Sequence, residues 1–528
     1  MKAFLFQMIF PMILMVWSLR MWPIRAEIDI YESISVLKEK FESTEFHPKG
    51  QAFPKIRGPG RLDSKIGIIG GGPAGIDMAY QLKQKGYMNV TILEKSPRVG
   101  GKAETFFYRH SEIPLSVVLW GQDYQNTLVP RLKKFGLFKD HFCPMPQLYT
   151  WPTNNDSLVA FNTFDDQTKN KESTLKALMG YTNLHRELFG NYNNDFGLMQ
   201  RPDQETLTKI GEGSFHDFLK ANDLLALEFV IKLIMTASGY GTLREIPAIY
   251  GLIWARPNLL FDAVTMRGGI RTLKFKSIAE VFPKMVEQEK LNVLYNFNVI
   301  QVSKGDKLNY RVQSWKDQSL EFDFLIWATG NPADYLKVTK NSDLPALKVQ
   351  HILEAYQTTH ASSSIIDVTN QSKASPMQLY QQNFNVDYNL SHKVVIDFDF
   401  YALGLQLSYE DFLNGQFYYK DQIPATKKST ILTFQYSSIS QPEPSLKEVR
   451  ESLVQHYQRF GADQIDILYT RMFEWFPRWS SYHTSLGYHW DMYEHQGEAN
   501  LWFIGGGLSF ESLHNVIGYN SLLLENKL

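Results

Sequence analysis

The sequence predicts an α/β fold: a Rossmann-type dinucleotide-binding domain interleaved with an α+β substrate domain, behind an N-terminal hydrophobic segment. Three observations carry this expectation. The apolar strand Ile66 to Ile69 runs straight into Gly70-x-Gly72-x-x-Gly75 and a helical stretch through Lys85. Strand-like sequence that suits the same sheet returns much later, at residues 323–330. The chain then ends on a second strand–glycine–helix pattern, LWFIGGGLSFESLHNVIGYNSLLLENKL, at 501–528.

From Ala3 to Leu19 there is no charge. The run sits at the lower limit of the roughly 17 to 25 apolar residues that span a bilayer and is long for a signal-peptide core. Lys2 precedes it and Arg20 and Arg25 follow, which favours the bulk of the chain on the cytoplasmic side. Residues 1–26 are therefore expected to be an uncleaved membrane anchor; secretion or export to a periplasm after cleavage near Ile24-Arg25-Ala26 is the alternative. Residues 27–64, with Pro54, Gly58, Pro59 and Gly60, read as a short helical piece and then a linker.

The nucleotide-binding unit starts near Lys65. Gly70 permits the tight strand-to-helix turn, Gly72 lets backbone approach a pyrophosphate, and Gly75 lets the helix pack closely on the sheet. Pro73 and Ala74 open the helix, whose N-terminus offers N–H groups and a positive dipole end to phosphates. A second apolar strand ends at Glu94, where an acid can take ribose hydroxyls and disfavours a 2′-phosphate, so NADP is the poorest fit. Lys95, Arg98 and the Gly100-Gly101-Lys102 loop bring cations and bare backbone to the pyrophosphate a second time.

Residues 128–139 look like a short amphipathic helix, and 150–210, rich in Asn, Asp, Thr and Gln, like an irregular solvent-facing insertion. Residues 213–241 have helical periodicity with Ser214 as a cap, and they suit the roof of a pocket. Residues 291–303 alternate as a strand pair or bent strand. DFLIWATG at 323–330 is a buried strand whose small-residue end, through Gly330, lets the chain pass close to a cofactor. Alternating segments within 335–465 make a second sheet. The nucleotide-binding domain is thus expected over 65–140, 262–335 and 466–528, and the substrate domain over 141–261 and 336–465.

Composition narrows the function. A net charge of −1 gives no basic surface for nucleic acid. Aromatics at 14% suit a large apolar pocket. The single cysteine, Cys143, excludes an internal disulfide and a cysteine-based zinc site. Gly211-x-Gly213 lacks a preceding strand and a third glycine, which argues against a separate NADPH domain and an NADPH-driven monooxygenase or reductase.

The E-x-x-x-R-x-G-G pattern from Glu94 to Gly101 resembles the flavoprotein family of amine oxidases and phytoene desaturases. Phe476-Pro477-Arg478-Trp479, Gln496-Gly497 and Gly506-Gly507-Leu508-Ser509-Phe510-Glu511 look like its polyenoic fatty acid isomerase-like branch; GYG, PAIY and Arg267-Gly268-Gly269 match more loosely. The resemblance implies an FAD-binding domain closed by the C-terminal segment with Gly505, Gly506 and Gly507, and a backbone contact from Val299 to the adenine. Two departures stand out. Val117-Val118-Leu119-Trp120-Gly121 replaces the usual Gly-Ala-x-Trp-like loop, and no cysteine follows Cys143, so FAD is expected to be non-covalent unless a histidine links it.

The expected function is an FAD-dependent oxidoreductase taking a hydride from an apolar or amphipathic small molecule, with oxygen or a quinone as acceptor. The alternatives are a redox-neutral double-bond isomerase of polyunsaturated fatty acids and a non-catalytic flavin-binding membrane protein. No catalytic acid or base is assigned: His483, His489, His495 and His514 are scattered, and Trp475, Phe476, Tyr488 and Trp490 read first as core.

Overall fold

The computed structural model describes residues 54–527 apart from internal segments, of which 152–158, 162–170, 191–198, 261–269, 370–376, 383–393 and 400–427 are the longest. The apolar run 3–19, the Val117–Gly121 loop and Arg267–Gly269 lie outside the described residues.

Strand β1 (Ile66–Ile69) turns into helix α1 (Pro73–Gln84), and β2 (Val90–Leu93) follows. From mid-chain come β3 (Asn292–Leu294) and β4 (Phe324–Trp327). Two long strands, β5 (Gln357–Thr369) and β6 (Gln464–Arg478), precede β7 (Leu501–Phe503) and helix α2 (Leu513–Glu525). The first sheet has the order β7-β4-β1-β2-β3, parallel throughout. Every residue of β1, β4 and β7 is buried, as continuous apolar runs in a covered parallel sheet should be. Residues 291–303 divide between two sheets: β3 joins this one, and Val299–Lys304 begins an antiparallel meander with Tyr310–Ser314 and Ser319–Phe322.

Helices α1 and α2 pack together around a buried polar knot. Asp77, fully buried on α1, accepts from Arg131 Nε at 2.6 Å, Gln81 Nε2 at 2.7 Å and Asn520 Nδ2 at 3.0 Å, and Asn520 also donates to the Ala74 carbonyl. The 501–528 segment keeps its expected strand–glycine–helix order, and α2 is buried almost all round.

Among the described residues the second sheet has seven strands, starting β6-β5 and continuing through Lys428–Tyr436, Val394–Asp399, Met377–Gln382, Gln147–Trp151 and Val159–Phe161. Its Ile366, Val368 and Ile431 pack on Val449, Leu453 and Tyr457 of the Leu446–Arg459 helix. The other face of β6 meets the first unit: Tyr469 stacks on Phe106, and Arg471 and Trp475 reach the Gly100–Lys102 loop.

Three expectations need correction. Residues 464–478 pair with β5 in the second sheet, so the chain returns to the first unit only after Arg478, not at 466. The 150–210 segment contains the helices Lys171–Phe189 and Gln204–Gly211; Leu178, Tyr181, His185 and Phe189 form a buried stripe that its polar composition hides. The described end of the 27–64 linker is pinned: Ile56 is buried and donates to Asn526, while Trp502 Nε1 donates to the Arg57 carbonyl.

Candidate cofactor site

Gly70 has φ +113°, and a Cβ there would stand 2.7 Å from the Ala328 carbonyl oxygen, so β4 leaves no room for a side chain. A Cβ on Gly75 would lie 2.0 Å from the Gly70 carbonyl oxygen, which makes glycine a condition of the turn itself. Gly72 differs. Its Cβ position meets nothing nearer than the Gly101 Cα at 3.8 Å, so bare backbone faces open space. Gly72 is the N-cap of α1 and Pro73 its first residue; no side chain caps the helix and no acid lies in its first turn. The N–H groups of Ala74 and Gly75 and the positive dipole end are thus left to a ligand.

The second glycine loop closes on the first. Gly100 and Gly101 have φ +108° and +54°, and a Cβ on Gly101 would meet the Gly72 Cα at 2.9 Å. Gly100 N–H donates to the Gly71 carbonyl. A third turn arrives from the chain end. Gly505 (φ +107°) lies against Gly330 (φ +93°) and Ala74, and Gly507 N–H donates to the Gly330 carbonyl. Gly506 is packed on the Glu511 carboxylate, where a Cβ would sit at 2.6 Å. This turn does not aim a second free helix end: Gly506–Ser509 is a single turn, and Ser512 caps α2 by accepting from Asn515 N–H.

Glu94 is buried at the end of β2. One carboxylate oxygen accepts from Gly71 N–H at 2.6 Å, and the other from Ser96 N–H at 2.8 Å and Ser96 Oγ at 2.7 Å. Phe297 N–H bonds the Glu94 carbonyl, which brings the start of the Val299 strand alongside. Lys95 is exposed. Arg98 pairs with Glu104 at 2.6 Å, and burial holds its guanidinium below the usual range. Lys102 pairs with Glu511 at 2.7 Å and lies over the Trp475 ring, while Glu511 also accepts from Phe476 N–H at 3.1 Å.

Beside this junction is a buried aromatic group. Phe476 and Phe510 stack at 5.3 Å, and Tyr240 and Tyr250 pack on both. Phe476 and Phe510 have φ +47° and +74°, strained for side chains with a Cβ. Burial raises the Tyr240 and Tyr250 phenols above their ordinary range, so both stay protonated. Arg478 lies over the Phe476 ring, its guanidinium lowered to about 10 by burial. Trp490 is core, Trp475 faces the Lys102 loop, and Tyr488 packs on Trp479. His514 is buried against Thr127 and Tyr124.

The structure thus gathers Gly70–Gly75, Glu94, Arg98–Lys102, Gly330 and Gly505–Gly507 around one strip, with Phe297, two residues before Val299, bonded to the Glu94 carbonyl. Open backbone at Gly72, an uncapped helix end and an acid at the end of β2 fit the pyrophosphate and ribose of FAD. Sequence reasoning missed Glu104, Arg471, Glu511 and Phe510; only the last two carried a signal, inside the Gly-Gly-Leu-Ser-Phe-Glu run. Among the described residues no His, Cys, Asp and Glu cluster could hold a metal, and no helix is long and apolar enough to cross a membrane.

The family model described as flavin containing amine oxidoreductase matches residues 73–368. No curated protein matches the chain. A CLA-producing fatty acid isomerase from P. acnes superimposes with a TM-score of 0.67 at 17% identity, over 88% of this chain and 99% of that one. Putrescine oxidase bound to putrescine gives 0.58 at 14% identity, over 88% and 98%. Cyclohexylamine oxidase from Brevibacterium oxydans IH-35A gives 0.53 at 13%, over 88% and 99%. At these identities the likeness establishes the fold.

Proposed function

The chain belongs to the flavin containing amine oxidoreductase family, and on that premise we propose an enzyme that holds FAD non-covalently and takes a hydride from an apolar or amphipathic organic substrate. The convergence of three glycine turns on the uncapped N-terminus of α1 carries this reading. FAD in that strip supplies the hydride acceptor. The chain supplies position: Gly72 and Gly101 would admit the pyrophosphate, Glu94 would take a ribose hydroxyl, and Lys102 is fixed by Glu511. The buried group of Tyr240, Tyr250, Phe476 and Phe510 beside this strip is apolar and keeps its phenols protonated, which suits a substrate without charge at its reacting end. The lack of any cysteine after Cys143 supports non-covalent binding.

Protein lacking residues 1–26 should purify yellow and release flavin on denaturation. A folded, colourless preparation that refuses added FAD refutes the cofactor. An oxygen-electrode screen of amines and unsaturated fatty acids then tests the reaction, with uptake and peroxide expected of an oxidase. The Phe-Pro-Arg-Trp and Gly-Gly-Leu-Ser-Phe-Glu elements, which meet where Phe476 stacks on Phe510, favour a second reading as a redox-neutral double-bond isomerase. That activity shifts diene ultraviolet absorbance without oxygen uptake. Flavin binding with neither response leaves a non-catalytic flavoprotein.

A further inference from the structure

Arg471 is carried by the second sheet, yet its guanidinium reaches into the first unit. Its Nη2 donates to the Gly101 carbonyl at 3.3 Å, and its Nη1 meets Glu104. Gly101 is the residue whose backbone lies against Gly72, so Arg471 stands one residue away from the opening where backbone can approach phosphate. The register that puts it there is fixed by Ser363↔Arg471 pairing and by the Tyr469–Phe106 stack two residues earlier.

The charges around it are unevenly shared. Arg98 and Arg471 both contact the one carboxylate of Glu104, and both donate to the Gly101 carbonyl. Glu94 also acts on Arg98 through space, but its oxygens already take Gly71 N–H and both donors of Ser96. Lys102, in the same loop, has its own partner in Glu511. Burial lowers both guanidiniums from their ordinary range, and Arg98 lowers Arg471 further. Two partly desolvated cations at one carboxylate are costly unless another anion joins them, and a guanidinium fork matches phosphate oxygens.

We infer that Arg471 is a cofactor-binding residue supplied by the substrate domain, which with Arg98 holds the pyrophosphate of FAD against the Gly72–Gly101 strip. The inference rests on the FAD reading above. It also makes tight FAD binding depend on the docking of the second sheet, because the first unit alone lacks this cation.

The test is FAD titration, by quenching of flavin fluorescence, into flavin-stripped full-length wild type, Arg471→Gln and Glu104→Gln. Arg471→Gln should weaken FAD binding roughly 10- to 100-fold, the range for a lost hydrogen bond between charged groups. Glu104→Gln, which releases both guanidiniums from their shared acid, should bind FAD as tightly as the wild type or more tightly. Binding by Arg471→Gln equal to the wild type overturns the inference. So does an equal loss in both variants, since Arg471 would then serve only to hold Glu104. If Arg471→Gln does not fold, Glu104→Gln decides alone, and weakened binding there overturns the inference. A wild type that takes up no FAD would remove the cofactor reading itself, whereas a binding wild type with an unaffected Arg471→Gln removes only this one.

Discussion

Replacing Gly70, Gly72 and Gly75 by alanine, one at a time, separates the glycine that serves a ligand from those that serve the fold. At Gly72 the backbone is extended at φ −78°, and the new methyl would meet only the Gly101 Cα at 3.8 Å. Flavin-free Gly72→Ala should therefore keep its stability to within about 0.5 kcal/mol. On the proposed FAD reading, the same methyl stands where the pyrophosphate would approach. Losing two charge-assisted hydrogen bonds at about 1.5–3 kcal/mol each weakens FAD binding by roughly 3–6 kcal/mol, more than a hundredfold. At Gly75 the methyl would lie 2.0 Å from the Gly70 carbonyl oxygen, a backbone atom that cannot swing aside. Overpacking of that kind costs about 1–3 kcal/mol or more without any ligand. Gly70→Ala combines φ +113° with a 2.7 Å approach to the Ala328 oxygen and belongs with Gly75. Urea unfolding of flavin-free protein followed by circular dichroism reads the fold, and FAD titration reads the site. Retained flavin in Gly72→Ala, or a stability loss there as large as in Gly75→Ala, refutes the reasoning.

Two further outcomes test the frame around the site. Asp77→Ala should cost about 3–5 kcal/mol in urea unfolding, because it strands Arg131, Gln81 and Asn520 around an absent buried carboxylate; a loss no larger than that of a surface substitution contradicts this. His185 is buried, donates from Nε2 to the Leu252 carbonyl, and has its pKa lowered by burial to about 4 from 6.5. The unfolded chain binds this proton below about 6.5 and the folded protein only below about 4, so stability should fall by about 3 kcal/mol as pH drops between them. His185→Gln should lack that share of the slope in unfolding curves taken at several pH values; an unchanged slope rejects the assignment.

The parts of the fold legible in the sequence are those whose chemistry is local. Gly70, Gly72 and Gly75 do their work within one turn, and β1, α1 and β2 follow one another without interruption. Gly330 and Gly505–Gly507 were readable for the same reason, since each ends a buried strand of the same sheet. Arg471 was not, because it acts on Gly101 across 370 residues and only the pairing of β5 with β6 delivers it. Glu511, paired with Lys102 across 409 residues, is of the same kind. The boundary at 466 failed because the aromatic run ending in Phe476 belongs to one sheet while its side chains serve the junction with the other. Lys171–Phe189 is illegible because polar residues separate its apolar side chains, which share a face only at helical spacing.

Glu94 shows how a residue chosen for a ligand also builds its own surroundings. An ionised carboxylate has about four acceptor sites. Three are taken here, by Gly71 N–H and by the N–H and Oγ of Ser96. The Gly71 contact ties the acid to the turn whose next residue, Gly72, faces open space, so on the proposed FAD reading one rigid unit would set both the ribose and the pyrophosphate positions. One acceptor site remains for a ribose hydroxyl. A second ribose contact requires the Ser96 hydroxyl to leave, and it can, because its oxygen also lies within bonding distance of the Arg98 carbonyl at 2.6 Å. Ser96 thus bridges Glu94 and the loop that carries Arg98 through its one hydroxyl proton.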